Sequence, residues 1–210
     1  LITVGHYAKA LIVVADRGLS FWVDHPGFLG RLAQWEACRL MAELGTEVDK
    51  VRPALAKTPT VATKWVEAYA QEDGWHRVDR AQRTLEAWVA TMEDDPEEPL
   101  EQALALVRRN HEALLKDMAE GFTAALVTSA WATPGALHQT RIYPELVEAC
   151  GGRVAYFFVD AMRFEMGVDL VEQLTGAEEL RLQPAVAALP SITPMGMAAL
   201  LPGASSSFSV

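Results

Sequence analysis

The chain has 210 residues, half of them hydrophobic, which is enough to bury a core in one domain or two small ones and excludes a disordered chain. A formal net charge of −10 makes the average surface repel polyphosphate, which excludes a general nucleic-acid coat protein and confines any such contact to a metal site or a local basic patch. Cys38 and Cys150 stand far apart with no CxxC or Cys/His cluster, so neither a disulfide framework nor a zinc ribbon is expected, and a reducing cytoplasm fits.

The opening run through Leu11, Ile12, Val13 and Val14 is interrupted by His6 and Lys9 and is too short to cross a bilayer, so no membrane anchor is expected. Position 1 is not Met, and the chain stops at Phe208-Ser209-Val210 just past a Gly- and Ser-rich stretch; the expectation is an internal fragment of a longer protein. Phe28, Leu32, Trp35, Leu40, Met41 and Leu44 recur at helical spacing and predict a helix capped by Gly45. Two more helices are predicted over 60–71 and 75–92, separated by Gly74. The acidic stretch from Glu93 to Pro99 breaks one helix and puts negative charge at the start of the next, where the helix dipole favours it. From Leu100 the pattern Leu104, Val107, His111, Leu114, Leu115, Met118, Phe122 and Leu126 predicts a long helix running past Gly121 and ending before Pro134-Gly135. Everything to about Val147 reads as helical, with the six tryptophans as packing residues rather than a stacking platform for bases, and with Arg77, Arg80, Arg83, Arg108 and Arg109 on faces that are solvated or turned to a nucleic-acid or protein partner.

At Gly151 the character changes. Arg153 to Val159 is a near-continuous apolar run, the pattern of a central parallel strand covered on both faces, and Phe164, Val168, Val171 and Leu174 mark a helix ended by Gly176. The expected architecture is an all-α region over 1–148, followed over 149–210 by the first part of an α/β domain.

Asp160 directly follows the apolar run, at the carboxyl edge of the expected strand, where open α/β sheets bind ligands. A carboxylate there can hold a divalent cation or simply cap the next helix. Thr193 precedes Pro194 and a short helical run, so it is expected to cap that run, where unpaired backbone N–H groups attract phosphate and favour a hydroxyl nucleophile beside a metal. A capping threonine with no chemistry has the same local pattern, and Ser191 is the rival hydroxyl. Arg163 could reach a substrate phosphate with Glu165 orienting it, or the two could form a solvated ion pair in a first helical turn.

The segments Val159-Asp160-Ala161-Met162-Arg163-Phe164-Glu165-Met166 and Leu189-Pro190-Ser191-Ile192-Thr193-Pro194-Met195-Gly196-Met197-Ala198-Ala199-Leu200-Leu201-Pro202-Gly203 together resemble the PglZ domain of the alkaline phosphatase superfamily. The resemblance runs from about Arg153 to Gly203. It implies an alkaline phosphatase-like α/β fold, truncated in this chain, with Asp160 as a metal ligand and Thr193 as nucleophile and metal ligand. It further implies a phosphatase or phosphodiesterase using zinc or a similar divalent ion, in a bacteriophage exclusion (BREX) setting. Partners would be other phage-defence proteins, with a nucleotide or nucleic-acid phosphodiester as a possible substrate. The superfamily's further Asp and His ligands would lie downstream, and His6, His25, His76, His111 and His138 match no such motif, so a complete two-metal centre is not expected here. The competing expectation is a phosphatase-like domain that serves as a binding platform in a phage-defence complex.

Overall fold

A computed structural model of the protein describes residues 1–23, 27–92 and 96–205. The sequence readings at His25, at Glu93, Asp94 and Asp95, and at 206–210 lie outside the described residues. The helices are α1 Tyr7–Asp16, α2 Leu19–Trp22, α3 Phe28–Leu55, α4 Ala62–Ala70, α5 His76–Val89, α6 Glu98–Thr128, α7 Phe164–Gln173 and α8 Thr193–Ala199. Two short strands, β1 Leu137–His138 and β2 Ala185–Val186, pair in parallel with Leu137 opposite Ala185 and His138 opposite Val186. The chain divides into two compact units, Leu1–Pro59 with Asp73–Thr123, and Thr60–Glu72 with the described residues from Ala124 onward.

In the first unit α3 packs against α1 and α5. Its core is the set of positions that helical periodicity selects: Tyr7, Ala10 and Val14 on α1, Leu40, Met41, Leu44, Val48 and Val51 on α3, Val78 and Leu85 on α5, and Leu104, Val107 and Leu114 on α6. Burial of each large aliphatic side chain contributes about 1.5–3 kcal/mol, which makes this stripe the main stabilising term of the unit. The polar links are peripheral. Arg108 on α6 donates twice to Glu86 on α5, at 2.8 and 2.6 Å, and that pairing raises its pKa. Arg52 on α3 reaches the Asn110 carbonyl of α6 at 3.3 Å. Arg77 pairs with Asp73 and Glu47, so these arginines sit among acids as solvated faces do.

Helix α3 does not stop where the sequence suggests. It runs through Gly45 to Leu55, with Pro53 in its last turns. The glycine is there for space: a Cβ on Gly45 would stand 2.4 Å from the Tyr7 ring, so α1 and α3 approach each other by way of the missing side chain. The packing role of the tryptophans holds for Trp65 and Trp75, which are buried, and for Trp35 and Trp88, whose indole N–H groups donate to the Val14 and Ala33 carbonyls. It fails for Trp131, which follows α6 with φ 62° and is 59 % exposed.

The second unit departs further from expectation. Arg153 to Val159 forms no strand: neither strand among the described residues includes it, and Phe157 is 81 % exposed. A run of apolar side chains expresses only a tendency to be buried, whereas a strand also needs a neighbouring backbone to accept and donate its ladder hydrogen bonds. The parallel pairing forms instead between β1 and β2, so His138 is a strand residue within the region expected to be helical, and a short 3₁₀ turn, a π-helical segment (Tyr143–Val147) and a second 3₁₀ turn follow it. Gly151, with φ 62°, ends that helical run at the point where the composition changes. The predicted helix after Asp160 is present as α7, with Phe164 packed 6.3 Å from the Tyr69 ring of α4. No helix among the described residues is long and apolar enough to cross a membrane.

Two substitutions check this packing. Gly45→Ala should lower the stability of the first unit by about 1–3 kcal/mol in thermal or urea unfolding, because overpacking outweighs the roughly 1 kcal/mol gained in helix propensity. Adding Tyr7→Leu should recover part of that loss, and an unchanged midpoint for the single variant would remove the close-approach argument. Burial raises the Cys38 thiol pKa while Cys150 is exposed, so iodoacetamide should label Cys150 first at pH 8, with Cys150→Ser leaving only slow labelling.

Candidate functional site

Asp160 and Thr193 are 33 residues apart in sequence and adjacent in space. The Thr193 hydroxyl donates to Asp160 Oδ1 at 3.2 Å, with Oδ2 at 3.4 Å, and both residues are exposed. The two candidates singled out by sequence are therefore brought together, and Thr193 rather than Ser191 holds the bonded position.

Local chemistry places each partner. Asp160 sits in a turn whose next residue, Ala161, has φ 54°. A left-handed backbone costs a non-glycine residue roughly 1–2 kcal/mol, and such conformations cluster where a site requires them. The turn redirects the chain into α7, with Arg163 at its N-cap position in extended geometry. Thr193 is the first residue of α8 rather than its cap, which is Ile192, and Pro194 follows, where a missing N–H costs nothing.

Two further side chains hold α8. Gln139 Nε2 donates to the Gly196 carbonyl at 3.0 Å while its Oε1 accepts from the Ala188 N–H at 3.0 Å. The Tyr156 hydroxyl donates to the Leu200 carbonyl at 3.4 Å, and desolvation raises the pKa of that phenol. Tyr156 thereby ties the otherwise exposed apolar segment to the end of α8, and its ring lies 4.5 Å from Phe158. Nothing in sequence spacing marks Gln139 or Tyr156, because each acts on a backbone group tens of residues away.

Arg163 and Glu165 do form an ion pair, Nη2 to Oε1 at 3.1 Å, but not the solvated one that an exposed first turn would give. The Glu165 side chain is 0 % exposed while that of Arg163 is 47 % exposed, so a buried carboxylate anchors a guanidinium that still meets solvent. A buried acid of this kind is retained only where it is paired and hydrogen-bonded.

As a metal-binding set, Asp160 and Thr193 offer a carboxylate and a hydroxyl on one spot, oxygen donors suited to a divalent cation. That is short of the roughly four donors a zinc ion takes. No group of three or more His, Cys, Asp or Glu comes together among the described residues. Of the described histidines in the second unit, His138 is engaged locally, its Nδ1 lying 2.8 Å from Thr140 Oγ1 and 3.3 Å from the Thr140 N–H.

Residues 138–209 match the PglZ family, described as the BREX system PglZ alkaline phosphatase-like domain. The match begins in β1 and takes in Gln139, Asp160, Arg163 and Thr193, so the tethers of α8 and the hydroxyl–carboxylate pair all belong to the PglZ segment. No curated protein and no solved structure gives a significant match to the chain. Among the described residues before 138, the regular elements are helices apart from Leu137 in β1.

The strained turn gives a direct test of how the PglZ segment presents Asp160. Ala161→Val should lower stability by about 1–2 kcal/mol, since a β-branched residue tolerates positive φ least, while Ala161→Gly should be neutral or mildly stabilising. Thermal unfolding of the two variants decides it: equal stabilities would remove the strain from the account of the site.

Proposed function

We propose that the PglZ segment supplies the nucleophile and one metal-binding carboxylate of a phosphatase or phosphodiesterase acting in phage defence. The observation that carries this reading is the Thr193–Asp160 hydrogen bond at 3.2 Å, formed by the two residues that the phosphohydrolase resemblance selects.

In this reading Thr193 attacks phosphorus in line with the leaving oxygen, forming a phospho-threonine that water later releases. Without a cation the Thr193 hydroxyl donates to Asp160; with a cation held by both oxygens that proton would be released to solvent before Thr193 attacks and the bond to the leaving oxygen breaks. Asp160 and Thr193 would hold zinc or another divalent cation, which when bound lowers the hydroxyl pKa and neutralises phosphoryl charge. Arg163 contributes a partly exposed guanidinium, anchored through Glu165, that suits a phosphate oxygen. The net charge of −10 requires such local cationic groups for any phosphate-bearing substrate, a nucleotide or nucleic-acid phosphodiester included. Other proteins of the BREX system are the partners this reading implies, in the cytoplasm.

The test is zinc-dependent hydrolysis of a chromogenic phosphodiester by the full-length protein, its Thr193→Ala variant and its Asp160→Ala variant. Both variants should lose at least about a thousandfold in kcat while keeping the wild-type unfolding midpoint within roughly 1 kcal/mol. Full activity of Thr193→Ala would overturn the nucleophile assignment. A wild-type protein that neither turns over nor binds zinc would favour a binding platform instead.

A further inference from the structure

We propose that Gln139 is a positioning residue for Thr193, an inference that rests on the reading of Thr193 as nucleophile. The Gln139 carboxamide grips the backbone on both sides of Thr193: it accepts from the Ala188 N–H, five residues before, and donates to the Gly196 carbonyl, three residues after, each at 3.0 Å. Ala188 is buried, so its N–H has no water to turn to, and loss of its acceptor would leave a desolvated donor. Gly196 lies within α8, so the same side chain fixes both the loop that enters the helix and the helix that carries the nucleophile. An added Cβ on Gly196 would stand 3.5 Å from Gln139 Nε2, which shows how closely the amide lies along the helix.

The chemistry demands a primary amide of this length. A carboxylate keeps the acceptor for Ala188 but faces the Gly196 carbonyl with a second acceptor, asparagine falls one methylene short, and a thioether of similar size supplies neither bond. Thr193 is exposed, and the Asp160 carboxylate that accepts from its hydroxyl is exposed too, so packing around the hydroxyl itself does little to fix it. α8 is held instead through its backbone, with Gln139 on the Gly196 carbonyl close to Thr193 and Tyr156 on the Leu200 carbonyl at its end. Displacement of a reacting group by about 1 Å is enough to reduce turnover by roughly a hundredfold.

Gln139→Met and Gln139→Glu, made in the full-length zinc-loaded protein, separate positioning from mere stability. Both should lower kcat on the chromogenic phosphodiester by roughly 10- to 100-fold with KM within about twofold of wild type. The ¹³C-methyl resonance of Thr193, recorded without metal, should shift in both variants, and the carboxylate variant keeps the test open if the thioether variant fails to fold. An unmoved Thr193 methyl resonance, or an unchanged kcat, overturns the positioning role. A moved resonance together with a fully active Thr193→Ala variant would show instead that Gln139 sets the geometry of a residue that is not the nucleophile, and so would sink the parent reading.

Discussion

Holding Thr193 against Asp160 is the constraint on which the second unit depends, and the bond itself is too weak to satisfy it. Closing a loop of 33 residues costs on the order of 3 kcal/mol in chain entropy before any constant term. An exposed hydrogen bond returns about 0.5–1.5 kcal/mol. The deficit has to be met by contacts away from the site: the parallel pairing of β1 with β2, the Gln139 carboxamide on α8 and the packing of Phe164 against Tyr69. Each is modest alone. Together they bring a turn and a helix start to one place, leaving the hydroxyl and carboxylate exposed.

Electrostatics follows the same division between scaffold and site. On the helices of the first unit Arg108 is matched by Glu86 and Arg77 by Asp73 and Glu47, each arginine remaining partly exposed. In the PglZ segment Arg141 pairs with Glu145 in the same way, and the pair that differs is Arg163 with Glu165. Glu165 is wholly buried and serves Arg163, whose guanidinium remains about half exposed beside a strained turn.

The helical half was largely legible because helix hydrogen bonds are local and the apolar stripe needs only a neighbouring stripe to cover it. Core positions such as Leu40, Met41, Leu44, Leu85 and Leu114 follow from spacing alone. Gly45 did not, since glycine after an apolar stripe signals a helix end in local terms and a close helix approach in tertiary ones, and only the Tyr7 ring distinguishes the two. The run from Arg153 to Val159 misled for a related reason. Its hydrophobicity is real, but strand formation belongs to a pair of segments, and among the described residues the pairing falls to 137–138 and 185–186, short stretches with little signal of their own.

By itself the sequence determined that the chain is helical through its first half, that residues near Asp160 and Thr193 resemble a PglZ domain, and that an acidic surface restricts phosphate contacts to local sites. These are properties of composition, of short-range periodicity and of residue type within a motif, and none requires knowing what lies across the fold. The tertiary structure alone decided that Thr193 rather than Ser191 meets Asp160, that Glu165 is buried rather than solvated, that His138 is a strand residue, and that Gln139 and Tyr156 hold the helix carrying Thr193. Each of those facts is a contact between groups far apart in sequence, and a hydrogen bond to a distant backbone carbonyl leaves no periodic trace in the residues that make it.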